Sequence, residues 1–403
     1  MHTLSSSLRS RSAQDTLKIA RPLANRLGIT RVTDTTWLDR IGIPVFASIR
    51  PGAQSGSLCV NAGKGRRSDE AEIGAYMEAI EFSLAEYGQS SIRAIQSTPK
   101  NIASTLPSTI TFSSFCPMFG RRIIPDGPMD AVEVESVLDG KHSLVPAELV
   151  FIPHCGNVGQ RIFGESSNGL SSGNSILEAS LHGVCELMER DVQALDFIHD
   201  RSVLVDTENV TPDITELIDM IEGAHLQLTV RYTENEFGFP YFQAFITEVS
   251  VEMPVSVASG SGLRCRKSIA LVRAISEAAQ SRLSHIHGGR DDIIRRVQYF
   301  DLVGRDAELE AIRKLKNKAF RDERSLRYSQ IPEPAIPDNL ESAWRMTVEA
   351  LEKSGIKSIL RASFTNPSDN LQVVRVIAPG LESFEPNLKR VGPRLVKYAT
   401  TYL

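Results

Sequence analysis

The chain has little that would mark a membrane-spanning, secreted or nucleic-acid-binding protein. Its 403 residues include five cysteines, whose wide spacing fits neither a zinc site nor a disulfide framework. No apolar run reaches the roughly 18 residues that a membrane span needs, and the N-terminus has no secretory hydrophobic core. A net charge of -4 argues against nucleic acid, which takes a strongly basic domain. We therefore expect a cytoplasmic protein without a membrane or nucleic-acid partner.

The two commonest nucleotide-binding motifs are also absent. Three glycine-rich segments occur, at residues 61–65, 166–173 and 259–262, and each precedes a helical pattern. None is a Walker A loop or a dinucleotide fingerprint, so neither a kinase nor a Rossmann enzyme is indicated. We predict turns here, which can present backbone N–H groups to a phosphate at a helix N-terminus.

The composition predicts a large mixed α/β protein. With 41% hydrophobic and 23% charged residues, the chain can bury one big or two ordinary domains. Short β-branched runs predict strands at residues 44–49, 149–152, 226–230, 244–247 and 373–377. The charged segment 298–337 is interpreted as a solvated helix and loop, or as a partner surface.

Two helix-forming stretches each carry two glutamates three residues apart, Glu78 with Glu81 and Glu186 with Glu189. Residues at this spacing share a helix face. The second stripe continues back through His182, Glu178 and Asn174. Its apolar side holds Ile176, Leu177, Val184, Leu187 and Met188.

These stripes allow two interpretations. Most charge runs on amphipathic helices are solvated faces. If the two acidic faces meet instead, five carboxylates converge and need cations between them, most obviously magnesium ions carrying a nucleotide. Solvated faces usually mix lysine with glutamate, and neither stripe has a lysine between its glutamates. The combination favours the metal site.

A third helix is predicted over Lys267–His287, with complementary chemistry on one face. Arg273, Glu277, Gln280 and Ser284 recur at helical spacing. The opposite side is formed by Leu271, Ile275, Ala278, Ala279 and Ile286. The planar fork of an arginine suits a phosphate, but Arg273 and Glu277 are equally consistent with an i,i+4 surface pair.

Several ordered motifs together resemble the YcaO proteins, from about Arg31 to about Glu382. The matching segments are residues 38–45, 63–65, 77–81, 167–174, 178–191 and 277–282. The resemblance implies a YcaO domain over residues 31–382, with an N-terminal tail and lead-in at 1–30 and a C-terminal tail at 383–403. It also implies β-sheets flanked by helices, with the ATP site between the acidic helices.

The activity implied by this resemblance is ATP- and Mg2+-dependent modification of a peptide backbone. The amide oxygen of a peptide or protein substrate attacks a phosphate and becomes a good leaving group, and a nucleophile adds to the carbonyl carbon. By resemblance the Mg2+ and nucleotide ligands are Glu78, Glu81, Glu178, Glu186, Glu189 and Glu277, and the direct ATP contacts are Ser171, Asn174, Arg190 and Arg273. No cysteine nucleophile is required, so we interpret each cysteine as a small buried hydrophobe.

Two positions depart from the commonest family pattern. Gly74 stands where a serine precedes the first acidic motif, and Phe82 stands where an arginine follows it. The first change removes a phosphate contact and the second a local counter-charge. The sequence of that motif, together with Ser281-Arg282 and Arg290-Asp291-Asp292, resembles the corresponding sequences of one family branch. Members of that branch work with a TfuA-like partner and form thioamides.

The C-terminal sequence favours the same product. Azoline-forming members generally end in a proline-rich tail, and this chain ends differently. We therefore expect thioamide formation, or the related amidine chemistry, with a separate TfuA-like protein and a sulfur donor as partners; a homodimer is one assembly that the resemblance allows. The alternatives are an azoline-forming cyclodehydratase and a noncatalytic nucleotide-binding factor for ribosomal protein modification.

Overall fold

The computed structural model describes residues 2–4, 7–156, 159, 161–250, 255–321 and 324–402. The helices are α1 Ala13–Arg26, α2 Ser68–Ala85, α3 Pro99–Thr105, α4 Ile176–Ile198, α5 Pro212–Gly223, α6 Lys267–His287, α7 Asp291–Val303, α8 Arg305–Phe320, α9 Leu340–Lys353 and α10 Pro393–Tyr402. The strands are β1 His2–Leu4, β2 Ser7–Arg9, β3 Arg31–Asp34, β4 Val45–Ile49, β5 Val60–Lys64, β6 Ile95–Ser97, β7 Met129–Ser136, β8 His142–Pro146, β9 Leu170–Gly173, β10 Val203–Asp206, β11 Gln227–Tyr232, β12 Tyr241–Thr247, β13 Val257–Leu263, β14 Ser325–Arg327, β15 Leu360–Ser363 and β16 Gln372–Ile377. The predicted mixed α/β class is confirmed.

The first of two compact units comprises Met1–Ala53, Leu58–Ile80 and Arg201–Pro337. Its larger sheet has the strand order β13-β12-β11-β10-β14, antiparallel except for the parallel pair β10 and β14. Helix α6 lies against β13 and β12, and its buried face joins Phe242 and Val230 in the hydrophobic core. A second sheet, β3-β4-β5, is antiparallel.

The second unit comprises Gln54–Ser57, Glu81–Asp200 and Asp338–Leu403. Its sheet has the order β6-β7-β15-β16-β9, and β8 also pairs with β7. Helix α4 lies against β9 and β16, and α9 and α10 pack on α4. The first part of α2 belongs to unit 1 and its last turn to unit 2.

The predicted glycine-rich turns are wrong for most of their length, because they form strands β5, β9 and β13. In these strands, glycine allows a neighbouring helix to approach the strand backbone closely and does not form a turn. A Cβ atom on Gly63 would lie 2.1 Å from both the Ala71 carbonyl oxygen and the Ala75 nitrogen of α2. Residues 168–169 do form a turn before β9. Composition alone could not separate these cases, since glycine is common both in turns and where backbones touch.

Four of the five predicted strands are confirmed, as β4, β11, β12 and β16. The fifth, at residues 149–152, is wrong. This run begins with Leu149, the last residue of a 3-10 turn at Ala147–Leu149, and all four of its residues are buried. A run of four apolar residues has no periodicity that identifies a strand.

The predicted N-terminal tail contains helix α1. Ser12 caps it by accepting a hydrogen bond from the Asp15 N–H at 3.1 Å, and Leu17, Ala20 and Ala24 are buried. The Ser/Arg-rich composition concealed this amphipathic helix. Met1, Ser5, Ser6 and Leu403, at the ends of the two predicted tails, lie outside the described residues.

The other two charged or terminal segments are helical as well. The segment 298–337 contains the end of α7 and all of α8, which are mostly exposed, in agreement with a solvated surface. The predicted C-terminal tail carries α10, whose Leu395 is buried against Ala194 and Leu195 of α4.

We expect the Gly63→Ala substitution to lower the free energy of unfolding by about 2–3 kcal/mol, because the added methyl group overpacks the contact between β5 and α2. The matched control is Gly223→Ala in α5, where nothing lies within 4 Å of the new Cβ atom. That change should shift stability by less than about 1 kcal/mol. Chemical denaturation measures both, and equal effects would contradict the close-approach account.

Candidate functional site

In unit 1, strand β5 contacts both helices that carry candidate carboxylates. The backbone N–H of Ala62 donates to Glu78 Oε2 at 3.2 Å. Two residues along, Lys64 forms an ion pair with Glu277 of α6, and the side-chain amide of Gln280 donates to the Ala62 carbonyl. The structure therefore brings Glu78 and Glu277 to the same strand.

Two cations in this cluster were not among the predicted site residues. Besides Lys64, the Arg290 guanidinium lies 4.0 Å from Glu78 Oε1 and is oriented by two 3.1 Å hydrogen bonds to Asp292. Both cations lie in segments that the sequence marked as family motifs. Their positions beside the glutamates come from tertiary contacts that helical spacing does not encode.

Burial and neighbouring charges have opposite effects on the pKa values of Glu78 and Arg290. Burial raises the pKa of Glu78, although Arg290 and Lys64 act in the opposite direction. Burial alone would lower the pKa of Arg290, but Glu78, Asp292 and Glu277 raise it above its usual value. Nearby positive charges therefore stabilise the ionised form of these partly buried carboxylates.

Arg273 and Glu277 lie on the partly buried face of α6. Helix α6 has the predicted bounds, and Arg273 lies half-buried one turn before Glu277. Glu277 forms an ion pair with Lys64. Of the predicted apolar side, Leu271, Ile275, Ala278 and Ala279 are buried, whereas Ile286 is 39% exposed near the helix end.

In unit 2, the serines of β9 point to different partners. Ser171 donates to the Ala179 carbonyl of α4 at 2.9 Å and is 1% exposed. Ser172 donates to Glu81 Oε1. The serine that meets a candidate carboxylate is thus one residue beyond the predicted ATP contact, because side chains alternate along a strand.

The N-terminus of α4 is organised around Glu178. Ser175 caps the helix by accepting from the Glu178 N–H at 3.2 Å. The Glu178 carboxylate accepts from the backbone N–H of Asn174 at 3.1 Å and from its side-chain amide at 3.2 Å. Two of the predicted site residues are therefore in direct contact, at the helix end where a negative charge is favoured.

The acidic stripe of α4 is not a solvated face. Glu178 is 2% exposed and Glu189 is 1% exposed, while Glu186 is half-buried. Arg190 lies 3.8 Å from Glu189 and donates to Gln193 at 2.8 Å. Since burying a carboxylate is expensive, this burial contradicts the solvated alternative for Glu178 and Glu189. Of the predicted apolar side, Val184, Leu187 and Met188 are buried, and Ile176 and Leu177 are only half-buried.

Both departures from the family pattern have packing explanations. A Cβ atom on Gly74 would lie 3.2 Å from the Gly63 Cα atom, so a larger residue would crowd β5. Phe82 is 6% exposed and belongs to the buried side of α2. Gly74 thus permits the approach of β5 that brings Ala62 to Glu78.

Other motif residues form a buried ion network in unit 1. Arg282 donates to Asp39 at 2.9 Å and to Glu248 at 2.8 Å, and Arg40 also donates to Glu248 at 2.9 Å. The side chains of Arg282, Asp39 and Glu248 are at most 8% exposed. These motif residues hold α6 to the segment before β4, which is a structural role.

The cysteine prediction is confirmed for three residues only. Cys116, Cys185 and Cys265 are buried, and burial raises the pKa of Cys116 well above its usual value. Cys59 is half-buried and Cys155 is exposed, so the prediction is wrong for Cys155. Cys155 lies in a loop in which Pro153 and His154 are buried, so a loop position alone does not determine exposure.

The donor set suits Mg2+. Carboxylate oxygens are the ligands that this hard cation prefers, and it commonly takes one or two of them together with substrate phosphates. In the described part of the chain, no three Asp, Glu, His or Cys side chains form a ready metal cage.

A family model described as YcaO cyclodehydratase, ATP- and Mg2+-binding, matches residues 62–382. The chain belongs to the YcaO family. The matched range includes every glutamate predicted to bind Mg2+. The predicted cofactors, ATP and Mg2+, are confirmed at the level of the family.

The chain is also similar to other proteins in sequence and in structure. An uncharacterized protein in the tfuA 3' region of Rhizobium leguminosarum bv. trifolii is 31% identical over 91% of this chain and 87% of its own length. The structure of YcaO from Methanopyrus kandleri bound with AMPPCP and Mg2+ matches with a TM-score of 0.74 at 21% identity, over 97% of each chain. A chain of the E. coli microcin synthetase McbBCD complex matches with a TM-score of 0.64 at 15% identity, over 91% of this chain and 95% of that one.

The structural matches share the YcaO fold with this chain. Within the described ranges, none of the helices of this YcaO protein is both long and apolar enough to cross a membrane.

Proposed function

We propose that this YcaO protein uses Mg-ATP to phosphorylate a backbone amide oxygen of a peptide or protein, and that the product is a thioamide. The observation that carries the proposal is the burial of Glu178 and Glu189, which are 2% and 1% exposed on the same helix. Burying acidic side chains costs free energy that hydrogen bonds and nearby positive charges must offset, and bound Mg2+ would add such a charge beside both glutamates.

Six glutamates are assigned to the magnesium ions in this proposal: Glu78, Glu81, Glu178, Glu186, Glu189 and Glu277. Ser171, Asn174, Arg190 and Arg273 are assigned to direct ATP contacts. The contacts of Glu81 with Ser172 and of Glu178 with Asn174 support the assignment, because each orients a carboxylate before a ligand arrives. We add Ser172, Lys64 and Arg290 as neighbours that set the charge and direction of these carboxylates.

The chemistry follows from what a peptide amide lacks. Its carbonyl carbon is a poor electrophile, and its oxygen is a poor leaving group. When the oxygen bonds to a phosphorus of ATP, the bond from that phosphorus to the rest of the nucleotide breaks. Sulfide then adds to the carbonyl carbon, and the carbon–oxygen bond breaks to release phosphate. Bound Mg2+ would neutralise the charge that develops on the transferred group.

The residues of this chain would act by binding and orientation. Arg190 and Arg273 offer paired donors that fit a phosphate, and the glutamates hold the metal-bound end of the nucleotide. The chain need not supply a covalent nucleophile, which agrees with the burial of Cys116, Cys185 and Cys265.

The thioamide product is supported by the relative in the tfuA 3' region. The sequence motifs around Glu78, Ser281 and Arg290, which resemble those of the thioamide-forming branch, support it as well. A TfuA-like protein would then deliver sulfur. The second candidate is azoline formation, which the description of the family model as a cyclodehydratase favours. A noncatalytic accessory role is less favoured, because all six glutamates are present and Glu178 and Glu189 are buried.

The metal-bridged assignment predicts that Glu189→Gln weakens ATP binding at least about tenfold in the presence of Mg2+. The substitution removes a metal-directed charge with little change in volume. Titration calorimetry measures the affinity. The matched control is Glu352→Gln on the exposed face of α9, which should leave binding unchanged. Equal affinity of the unaltered protein with Mg2+ and with EDTA would contradict the assignment.

The product is tested by mass spectrometry. The purified protein is incubated with Mg-ATP, sulfide and candidate peptide substrates, with and without a TfuA-like protein. We expect the mass gain of one oxygen-to-sulfur exchange only when sulfide and the partner are both present, because the activated carbonyl needs an external nucleophile. A product lighter by one water, formed by this protein and ATP alone, would establish the azoline alternative instead.

A further inference from the structure

Arg375 of β16 is a buried cation outside the proposed set of ligands. It is 1% exposed in unit 2. Its Nε atom donates to the Val150 carbonyl at 3.2 Å, and its Nη1 atom donates to the carbonyls of Ser166 and Asn168 at 3.0 Å each. Two of its three acceptors therefore lie in the segment that leads into β9.

The third nitrogen of this guanidinium, Nη2, differs from the other two in its hydrogen bonding. Nη2 is buried and has no hydrogen-bond partner among the described residues. A buried arginine with an unsatisfied donor costs more free energy than an apolar side chain of the same volume. If Arg375 only filled space in the sheet, a methionine or leucine would serve better, so its positive charge requires an explanation.

The strand register connects Arg375 to the acidic residues. Arg375 pairs with Leu170 and Val373 pairs with Ser172 across β16 and β9. Side chains at alternate positions share a face of a sheet, so Arg375 lies on the same face as Ser172, whose hydroxyl group donates to Glu81.

Electrostatics agree with this placement. Burial lowers the pKa of Arg375 to about 10, and Glu186 and Glu81 counteract that decrease. The guanidinium thus remains charged at neutral pH, and two of the proposed magnesium ligands interact with its charge.

We propose that Arg375 is a positioning residue of the nucleotide site: it holds the segment before β9 in place and supplies a fixed buried positive charge to the polyphosphate end of ATP. This inference rests on the proposed function, which assigns Glu81 and Glu186 to magnesium. Because ATP carries more phosphate charge than ADP, a fixed cation beside these glutamates would favour ATP.

The ratio of ATP to ADP affinity provides the test, because it separates the charge of Arg375 from its packing. Dissociation constants for both nucleotides are measured by calorimetry with Mg2+, together with the melting temperature. For Arg375→Met we expect ATP binding to weaken about tenfold and ADP binding to weaken less than about threefold. Arg375→Lys keeps the charge but cannot bond all three carbonyls, so both affinities should fall while their ratio stays near that of the unaltered protein.

Arg361→Met is the matched control. This arginine lies on the neighbouring strand β15, is also largely buried, and pairs with Glu135 at 2.7 Å and Ser180 at 3.2 Å. Its loss should change the melting temperature without changing the affinity ratio.

The outcomes separate this inference from the proposed function. If the unaltered protein fails to bind Mg-ATP, the proposed function is wrong. If it binds, and Arg375→Met retains the original affinity ratio, only the inference about Arg375 is overturned. If Arg375→Met does not fold, Arg375→Lys decides: unchanged affinities for both nucleotides, or a changed ratio, would overturn the inference.

Discussion

The burial of glutamate carboxylates against strands is the interaction on which the candidate site depends. In unit 1, Glu78 accepts from the backbone of β5, and the glycine at position 63 allows α2 to come that close. In unit 2, Glu81 accepts from Ser172 of β9. Each contact orients an acid that would otherwise turn toward water, and each leaves a charge that a metal-bound nucleotide can use.

Helical periodicity made the acidic helices predictable from the sequence. The contacts that strands make with those helices could not be predicted from periodicity. The bounds of α6 and the stripe through Glu178 and Glu189 follow from spacing and residue type. The roles of Lys64, Arg290 and Arg375 depend on contacts between segments far apart in the chain. A sequence pattern places such residues on an element but does not state which residues they meet.

The family motifs combine two kinds of residue that look alike in sequence. Asp39 and Arg282 belong to a buried ion network, and removing one partner of such a network leaves an uncompensated charge. Glu178 and Glu189 are equally buried, but they lie on one helix stripe together with a third glutamate, Glu186. Burial alone does not distinguish the two kinds of residue, and the proposal for Glu178 and Glu189 rests on the grouping of acidic side chains along one face.

The position of the metal in a nucleotide complex is the most direct test of the central claim. A crystal structure with a nonhydrolysable ATP analogue and Mn2+, located by anomalous scattering, would show which oxygens coordinate the metal. The account predicts metal ions about 2.1 Å from carboxylate oxygens of the α4 stripe, including Glu189. A bound nucleotide whose metal ions contact none of the six glutamates would contradict it.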